Sequence, residues 1–589
     1  MRLSAPGELS GGLAELAAEH PRRFGHGPEV RLEPDPAVAG FSTTAEEYGW
    51  RIGYARPRDA YRALGALLGE AAERAESSPF TSLAVMLDTS RNAVMRPEAV
   101  ASYLRKCALM GIDTLWLYME DTYQVAGEPV LGYARGPYTP EELRAIDDTA
   151  HRLGIEVIPC VQTLGHFEQI LQWPAYWPLR DTERVLMAEA AEGYALIGRM
   201  LATVASCFRS RRVHVGLDEA HGVGTGGYRR RFGDRPPFEI LSAHLKNVLG
   251  LCREHGLAPM IWSDMYFRLG SATGDYYDPA TEIPSWVAGQ IPAEAELVYW
   301  DYEHGDAAFY AGWIGRHRRD LGKTPVFAAS GWTHHRLWAA LPRALATLTA
   351  GMTAARAEGL TEAAITMWGN DGTECDLFSA LPAVQAFTAL AYGAEPERDP
   401  LRPSARLAAD FRGSCDATLE AWLAAAELDY LPGAGDPARW RGNPAKWLLW
   451  HDPVLSFLTA GLPGWLAGHY AELAARLEGP LPGDVRLAFP RALAETLAAK
   501  VVLHRERRAV PGLAEQVREL RERHREVWCG DNKPFGWDVI DRRYGGLLAR
   551  LEHLERFGAV EFEALDPYPD GALAQCLPYA RTASASFHA

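Results

Sequence analysis

Closely spaced cysteines are missing from this sequence. Its 589 residues include only eight cysteines, and no Cys-x-x-Cys pair occurs among them. Cysteine-rich zinc sites and the disulfide frameworks of small secreted domains both depend on clustered cysteines. The sequence therefore argues against both kinds of site, and it predicts free, mostly buried thiols in a reducing compartment.

Long apolar runs are missing as well. No uninterrupted apolar stretch reaches the roughly 20 residues that a membrane-spanning helix requires. Residues 1–6 and those after them lack the apolar core of a signal peptide. We therefore expect a soluble, cytoplasmic protein that has no membrane partner.

An excess of positive charge is the third feature that this sequence lacks. The chain carries 60 lysines and arginines against 76 aspartates and glutamates, which gives a formal net charge of −16. Binding to nucleic acid requires clustered Lys and Arg side chains that neutralise phosphates. Short basic runs such as residues 229–231 are more typical of solvated surface. We therefore expect no nucleic-acid partner.

A regular alternation of strand and helix patterns fills the centre of the chain. Hydrophobic residues make up 48% of the sequence and charged residues 23%, which is typical of a folded chain. Eight apolar runs, nearly all followed by a helical pattern, predict an α/β fold of the (β/α)8 TIM-barrel type. The runs lie at residues 83–87, 113–118, 155–161, 213–220, 258–262, 296–300, 325–329 and 363–368. An open doubly wound sheet is the alternative, but the glycine fingerprint of many such folds is missing.

The barrel pattern leaves a region on each side. Residues 1–78 predict a small N-terminal α/β domain, residues 79–398 the barrel, and residues 399–589 an α-helical C-terminal domain. Within the barrel, residues 264–294 predict a long loop rather than a helix. The C-terminal helices are expected at residues 404–428, 464–478, 485–507, 510–527 and 538–557, where amphipathic patterns occur.

The fourth run ends in two adjacent carboxylates. It reads Val213-His-Val-Gly-Leu-Asp-Glu-Ala220, so Asp218 and Glu219 lie at its carboxyl end, where barrel enzymes carry out their chemistry. Neighbouring residues of a regular strand face opposite sides. Both acids can reach one pocket only if the strand stops there, and the glycine-rich continuation favours such a break. Two solvated acids at an ordinary strand end are the alternative.

Acidic and aromatic residues follow most of the other runs too. Stacking aromatic faces and hydrogen-bonding carboxylates are what a sugar pocket requires. The set comprises Asp88, Arg91, Glu120, Asp121, His166, His221, Trp262, Asp264, Tyr299, Asp301, Tyr302, Trp332, Trp368, Asp371 and Glu374. A metal site is the competing interpretation. No His-x-His or His-Glu-x-x-His motif occurs, so we expect no metal and no cofactor.

Several of these runs together resemble a known family, glycoside hydrolase family 20. The runs are Leu87-Asp-Thr-Ser-Arg-Asn92, His214-Val-Gly-Leu-Asp-Glu219 and Tyr299-Trp-Asp301, supported by Trp262-Ser-Asp-Met265 and Met367-Trp-Gly369. The chain is most similar to the bacterial exo-β-N-acetylglucosaminidase branch with a helical C-terminal domain. The resemblance covers about residues 80–400 by motif and the flanking regions by architecture.

The resemblance implies a β-N-acetylhexosaminidase that releases terminal β-linked GlcNAc, with GalNAc as a second sugar. Family members use the substrate's own 2-acetamido oxygen as the nucleophile, through an oxazolinium intermediate. By this match Glu219 is the acid/base, Asp218 orients the acetamido group and Tyr299 donates to its oxygen. The remaining implied substrate-binding residues are Arg91, Asp88, Asp121, His166, Trp262, Asp301, Trp332, Trp368 and Glu374, with His166 and Asp121 as a relay to Glu219.

The sequence also departs from the family pattern. Asn370 stands where many members have a glutamate after the eighth strand, so either Asp371 or Glu374 is expected to replace it. Two other classes remain open from the sequence: an endo-acting or O-GlcNAcase-like glycosidase, and a glycan-binding barrel protein without catalysis. The helical C-terminal domain further suggests a homodimer.

Overall fold

The N-terminal part of the chain is a small mixed sheet with two helices. The computed structural model describes residues 1–397, 399, 401–455, 462–558 and 571–577. The first elements are β1 (Arg2–Ser4), α1 (Gly7–Glu19), β2 (Glu29–Pro34), β3 (Phe41–Glu46), β4 (Gly49–Tyr54), α2 (Pro57–Gly69) and β5 (Arg74–Glu76). The strand order is β1-β2-β4-β3-β5, with β3 antiparallel to both of its neighbours. This is the α/β unit expected before the barrel.

Eight parallel strands close into a barrel at the centre of the chain. The ring is closed where the last strand pairs with the first, which confirms the predicted TIM barrel and excludes an open sheet. The strands are β6 (Ser82–Asp88), β7 (Thr114–Tyr118), β8 (Glu156–Cys160), β9 (Arg212–His214), β10 (Ala258–Trp262), β11 (Glu296–Trp300), β12 (Val326–Ser330) and β13 (Glu362–Met367).

Helices surround the barrel on the outside. They are α3 (Pro97–Met110), α4 (Pro140–Arg152), α5 (Glu168–Leu171), α6 (Ala191–Cys207), α7 (Gly227–Phe232), α8 (Pro237–Glu254), α9 (Asp264–Gly270), α10 (Ser285–Ala288), α11 (Ala307–Asp320), α12 (Leu341–Ala357) and α13 (Leu381–Ala391). The unit after β10 differs in part from the long loop predicted over residues 264–294, because two short helices, α9 and α10, lie within that range and a loop separates them.

Side chains alternate between the inside and the outside of the barrel. On β11, Val298 and Trp300 belong to the cluster that fills the interior, together with Trp116, Trp262 and Trp368. Because successive residues of a strand point to opposite faces, Tyr299 faces the surrounding helices. This parity decides which strand-end side chains enter the pocket.

The described residues after the barrel are helical and carry no strand. They form α14 (Ala405–Cys415), α15 (Leu419–Ala424), α16 (Pro444–Trp450), α17 (Leu466–Arg476), α18 (Ala488–Glu506), α19 (Leu513–Asp531) and α20 (Trp537–Phe557), with short 3₁₀ turns between them. The α-helical C-terminal region is therefore confirmed, and α16 is a helix that the sequence patterns did not predict. The division at residues 78 and 398 remains our proposal. Within the described part of the chain, no helix combines the length and apolar character needed to cross a membrane.

Candidate active site

The strand that carries the two adjacent acids stops early. β9 ends at His214, and the backbone then takes positive φ angles of 75° at Gly216, 76° at Leu217 and 46° at Glu219. A Cβ atom at position 216 would lie 1.8 Å from Gln162 Oε1, so the turn requires glycine. The break turns both Asp218 and Glu219 towards one point, as the sequence reasoning requires.

Asp218 is held tightly by two donors. Gln162 Nε2 donates to its Oδ1 at 2.7 Å, and His166 Nε2 lies 3.1 Å from its Oδ2. Burial acts to raise the pKa of Asp218, but the neighbouring His166 charge and the hydrogen bonds outweigh it, and the pKa is lowered. Burial acts to lower the pKa of His166, but the charge of Asp218 raises it to about 9. The two residues therefore form an ion pair at neutral pH.

Glu219 is the more accessible of the two acids, with 34% of its side chain exposed against 9% for Asp218. Its backbone N–H donates to Asp264 Oδ2 at 3.1 Å. Its Oε1 accepts from the Tyr276 hydroxyl at 3.1 Å, and its Oε2 lies 3.6 Å from His166 Nε2. Glu219 can thus exchange a proton with a bound molecule, whereas Asp218 is enclosed by protein.

Asp264 is a third carboxyl group beside this pair. It begins α9 directly after β10 and is buried. Burial and the nearby charge of Asp218 raise the pKa of Asp264 well above its usual range. Burial and the charge of Asp218 therefore favour the protonated form of Asp264, which reduces the negative charge next to Asp218 and Glu219.

Arg91 lies on the opposite side of His166. Its guanidinium forms an ion pair with Glu120 Oε1, and its Nη2 lies 3.3 Å from His166 Nδ1. Asp88 shapes this loop, since its carboxylate accepts from Ser90 N at 2.8 Å and from Gly369 N at 2.9 Å. Arg91 keeps 19% of its side chain exposed, while Asp88 holds the backbone of the loop that carries it.

The structure does not bring Asp121 to His166. The backbone turns at Glu120, where φ is 48°, so Glu120 Oε1 lies 3.9 Å from His166 Nδ1. Asp121 instead points into the loop that follows β7 and pairs with Arg135 Nε at 3.0 Å. The acidic partner on this side of the histidine is thus the residue before the expected one.

Tyr299 and Asp301 also lie outside the pocket. Tyr299 packs among the helices, with its ring 5.1 Å from that of His317, and its hydroxyl donates to Asp301 Oδ2 at 3.2 Å. Asp301 also bonds to His304 Nδ1 at 2.8 Å. Both residues have the outward parity of β11. The tyrosine on the pocket side is Tyr302, whose hydroxyl accepts a hydrogen bond from Trp368 Nε1 at 3.1 Å. Burial raises the pKa of Tyr302, and the charges of Asp218 and Glu219 act in the same direction.

The three expected tryptophans are brought to the barrel mouth at different depths. The ring centres of Trp262 and Trp368 lie 6.3 Å apart. Trp262 is buried at the bottom of the barrel mouth, and Trp368 is partly exposed. Trp332 is buried, and its Nε1 donates to Tyr302 O at 3.1 Å. Trp300 adds a fourth, partly exposed ring on the inner face. Together these rings supply the apolar surfaces that a sugar ring would contact.

The two acids that follow β13 are bound to other protein groups. Glu374 is fully buried and pairs with Lys446 Nζ of α16 at 2.6 Å and with Arg543 of α20 at 2.5 Å. Asp371 lies 2.8 Å from His335 Nδ1 and 2.8 Å from the same Lys446. Glu374 is therefore a connection to the C-terminal helices rather than part of the pocket, while Asp371 keeps 18% of its side chain exposed.

Two residues of this site were not expected from the sequence. Gln162 follows β8, where an uncharged side chain gives little signal of function. Tyr276 lies in the long loop between α9 and α10, away from any strand end. Across the residues whose positions are given, no group of three His, Cys, Asp or Glu side chains is arranged to hold a metal ion.

Comparison with known proteins finds similarity to a glycoside hydrolase domain and to hexosaminidases. Residues 420–510 and 503–557 match the family model described as the Glycoside Hydrolase 20C C-terminal domain. Hexosaminidase D of Homo sapiens is 28% identical over 235 residues, which is 38% of this chain and 46% of the human protein. The chain spans about half the length of the curated relatives it matches.

Solved structures share the fold. A GH20 exo-β-N-acetylglucosaminidase of Vibrio harveyi superposes with a TM-score of 0.52 at 14% identity, over 70% of this chain and 72% of the other. A GH20 β-N-acetylhexosaminidase of Streptomyces coelicolor gives 0.51 at 18% identity, over 70% of this chain and 91% of that one. At these identities the likeness shows the barrel fold.

Proposed function

We propose that this chain is a member of glycoside hydrolase family 20 and an exo-acting β-N-acetylhexosaminidase, which the matching family model, the curated relatives and the shared barrel fold support. Its substrate would be a glycan or glycoconjugate with a terminal, non-reducing β-linked GlcNAc. The observation that carries the proposal is the pairing of an enclosed, ionised Asp218 with an accessible Glu219 at one broken strand end.

The proposed first step is substrate-assisted. The acetamido carbonyl oxygen attacks C1 while Glu219 gives its proton to the glycosidic oxygen, and the bond between C1 and that oxygen breaks. Asp218 accepts a hydrogen bond from the acetamido N–H and stabilises the positive charge of the oxazolinium that forms. The charge on His166 supports this role, because it keeps Asp218 ionised.

The proposed second step reverses the proton transfer. Glu219, now a carboxylate, takes a proton from water as the water oxygen attacks C1 and the oxazolinium ring opens. The product keeps the β configuration. Asp218 itself is a poor nucleophile, because both of its oxygens accept hydrogen bonds and little of its side chain is exposed.

The acetamido oxygen needs a hydrogen-bond donor. We assign this role to Tyr302 in place of Tyr299, because its hydroxyl lies on the inner face near both carboxylates. Trp262, Trp300 and Trp368 would surround the sugar ring and its acetamido group. Arg91 would bind ring hydroxyls with its fork of N–H donors.

The experiment that tests the function is release of 4-nitrophenol from the β-GlcNAc glycoside. It is run beside the β-GalNAc and β-glucose glycosides and the Glu219→Gln variant. We expect cleavage of acetamido sugars alone, and a loss of about 10²–10⁴-fold in kcat for Glu219→Gln. The same substitution at Glu239, on the exposed face of α8, serves as the control. Binding without turnover would favour a glycan-binding protein, and cleavage only within longer chains an endo-acting enzyme.

Two further proposals concern the whole protein. We infer that it acts in the cytoplasm and that it forms a homodimer. Fractionation of the source cells tests the first, and light scattering on the eluted protein tests the second. A mass of a single 64.9 kDa chain at micromolar concentration would refute the dimer.

A further inference from the structure

A tyrosine from the long loop after α9 contacts the accessible acid. The Tyr276 hydroxyl lies 3.1 Å from Glu219 Oε1 and 2.6 Å from His221 Nε2. The rings of Tyr276 and His221 are stacked, with centres 6.2 Å apart and planes 29° apart. Glu219, Tyr276 and His221 therefore form a short chain of hydrogen bonds that leads away from His166.

The loop that carries Tyr276 is fixed on both sides of it. Ser271 Oγ donates to Asp278 Oδ2 at 2.8 Å across the loop. Further along, Arg316 Nη2 of α11 donates to Thr281 O at 2.6 Å. The Arg268 guanidinium lies 5.2 Å from the centre of the Tyr276 ring. The hydroxyl is thus held in place by the surrounding protein as well as by its contact with Glu219.

We propose that Tyr276, with His221 behind it, is a positioning pair that orients the Glu219 carboxyl group for proton transfer to the leaving group; this inference rests on the proposed glycosidase function. Glu219 is held at Oε1 by the hydroxyl, while His166 approaches its Oε2. The carboxyl group therefore has a fixed orientation although a third of its side chain is exposed.

A hydroxyl suits a residue that acts first as an acid and then as a base. When Glu219 carries its proton, Tyr276 can accept from it and donate to His221 Nε2. When Glu219 is ionised, Tyr276 donates to it and accepts from the other tautomer of His221. Burial and the nearby Arg268 lower the pKa of His221, so the ring is neutral and available in both tautomers. The contact is thus kept in both protonation states.

The test compares two aryl β-GlcNAc glycosides whose leaving groups differ in how much they need a proton. Phenol leaves slowly without a proton, whereas 2,4-dinitrophenol leaves readily without one. Tyr276→Phe should lower kcat/KM for the phenyl glycoside by about tenfold or more, and that for the dinitrophenyl glycoside by less than about threefold. His221→Gln should shift the ratio in the same direction. A residue with a merely structural role would lower both values equally.

Tyr277→Phe is the matched control. It removes a hydroxyl group from the same loop, but that hydroxyl donates to the backbone oxygen of Trp300 and not to an acid. It should keep the wild-type ratio between the two substrates. If Tyr276→Phe and His221→Gln both keep the wild-type ratio of kcat/KM between the two glycosides, the positioning pair is wrong. The proposed function would still stand in that case, provided that the wild-type protein cleaves the glycosides. Wild-type protein that cleaves neither glycoside would overturn the function and the pair together.

Discussion

His166 Nε2 lies 3.1 Å from Asp218 Oδ2, and each residue holds the other in its charged form. Because the pKa of His166 is raised to about 9, its contribution to stability is complete below its unfolded pKa near 6.5 and is lost as the pH rises through about 9. We expect wild-type protein to lose up to about 3 kcal/mol of unfolding free energy over this range from this pair. Denaturation curves at pH 6, 7.5 and 9.5 measure it. His166→Asn should flatten the dependence, and an equal slope in the variant would contradict the ion pair.

Replacement of Asp218 by Asn removes the group that orients the acetamido nitrogen. The variant should lose activity by about 10²-fold or more, because the charge that stabilises the oxazolinium is gone. Added azide should yield no glycosyl azide of inverted configuration, since the enzyme's own carboxylate is not the nucleophile. Product analysis by NMR checks this, with Glu219→Ala and azide as the reference reaction. An inverted azide from Asp218→Asn would show a protein nucleophile.

The two tyrosines at the end of β11 should behave differently. Tyr302→Phe removes the proposed donor to the acetamido oxygen and should cost about 10- to 100-fold in kcat. Tyr299→Phe removes an outward hydrogen bond to Asp301 and should leave kcat within about threefold while destabilising the fold by about 1 kcal/mol. Kinetics and thermal melts of both variants decide. The reverse pattern would return the role to Tyr299.

The buried connection between Glu374 and Lys446 gives a stability prediction. Lys446→Met removes one of the two charged partners of the buried Glu374, and also a partner of Asp371, and should cost about 3 kcal/mol of unfolding free energy. Lys446→Met combined with Glu374→Leu should recover part of this loss, because the buried carboxylate is removed together with its lysine, while Arg543 loses the ion pair with Glu374. Chemical denaturation of the full chain compares the two. A double variant that is no more stable than Lys446→Met would show that the pair contributes through packing alone.

The barrel and the carboxylate pair were predictable because both are encoded locally. Alternating apolar runs and helical patterns set the eight units, and the glycine-rich continuation after Asp218 and Glu219 indicated the broken strand. The role of Tyr299 could not be fixed in the same way. Whether a residue of β11 points inwards depends on how the strand is rotated within the closed barrel, which is set by its neighbours.

The contacts of Glu374 and Tyr276 were harder to foresee. Glu374 reaches Lys446 and Arg543, which are 72 and 169 residues further along the chain, and no local pattern reports a pairing at that separation. Tyr276 belongs to a loop whose path depends on tertiary anchors such as Arg316. The length of this irregular segment was the one sequence feature that indicated a functional role for the loop, because long loops in a compact domain frequently carry function.

The attachment of Glu374 and Asp371 to Lys446 and Arg543 bears on protein engineering. A shortened version that stops after α13 would leave a buried carboxylate facing water and a loop at the barrel mouth without its support. Attempts to obtain a minimal enzyme, or to graft this barrel onto another partner domain, should therefore retain α16 and α20.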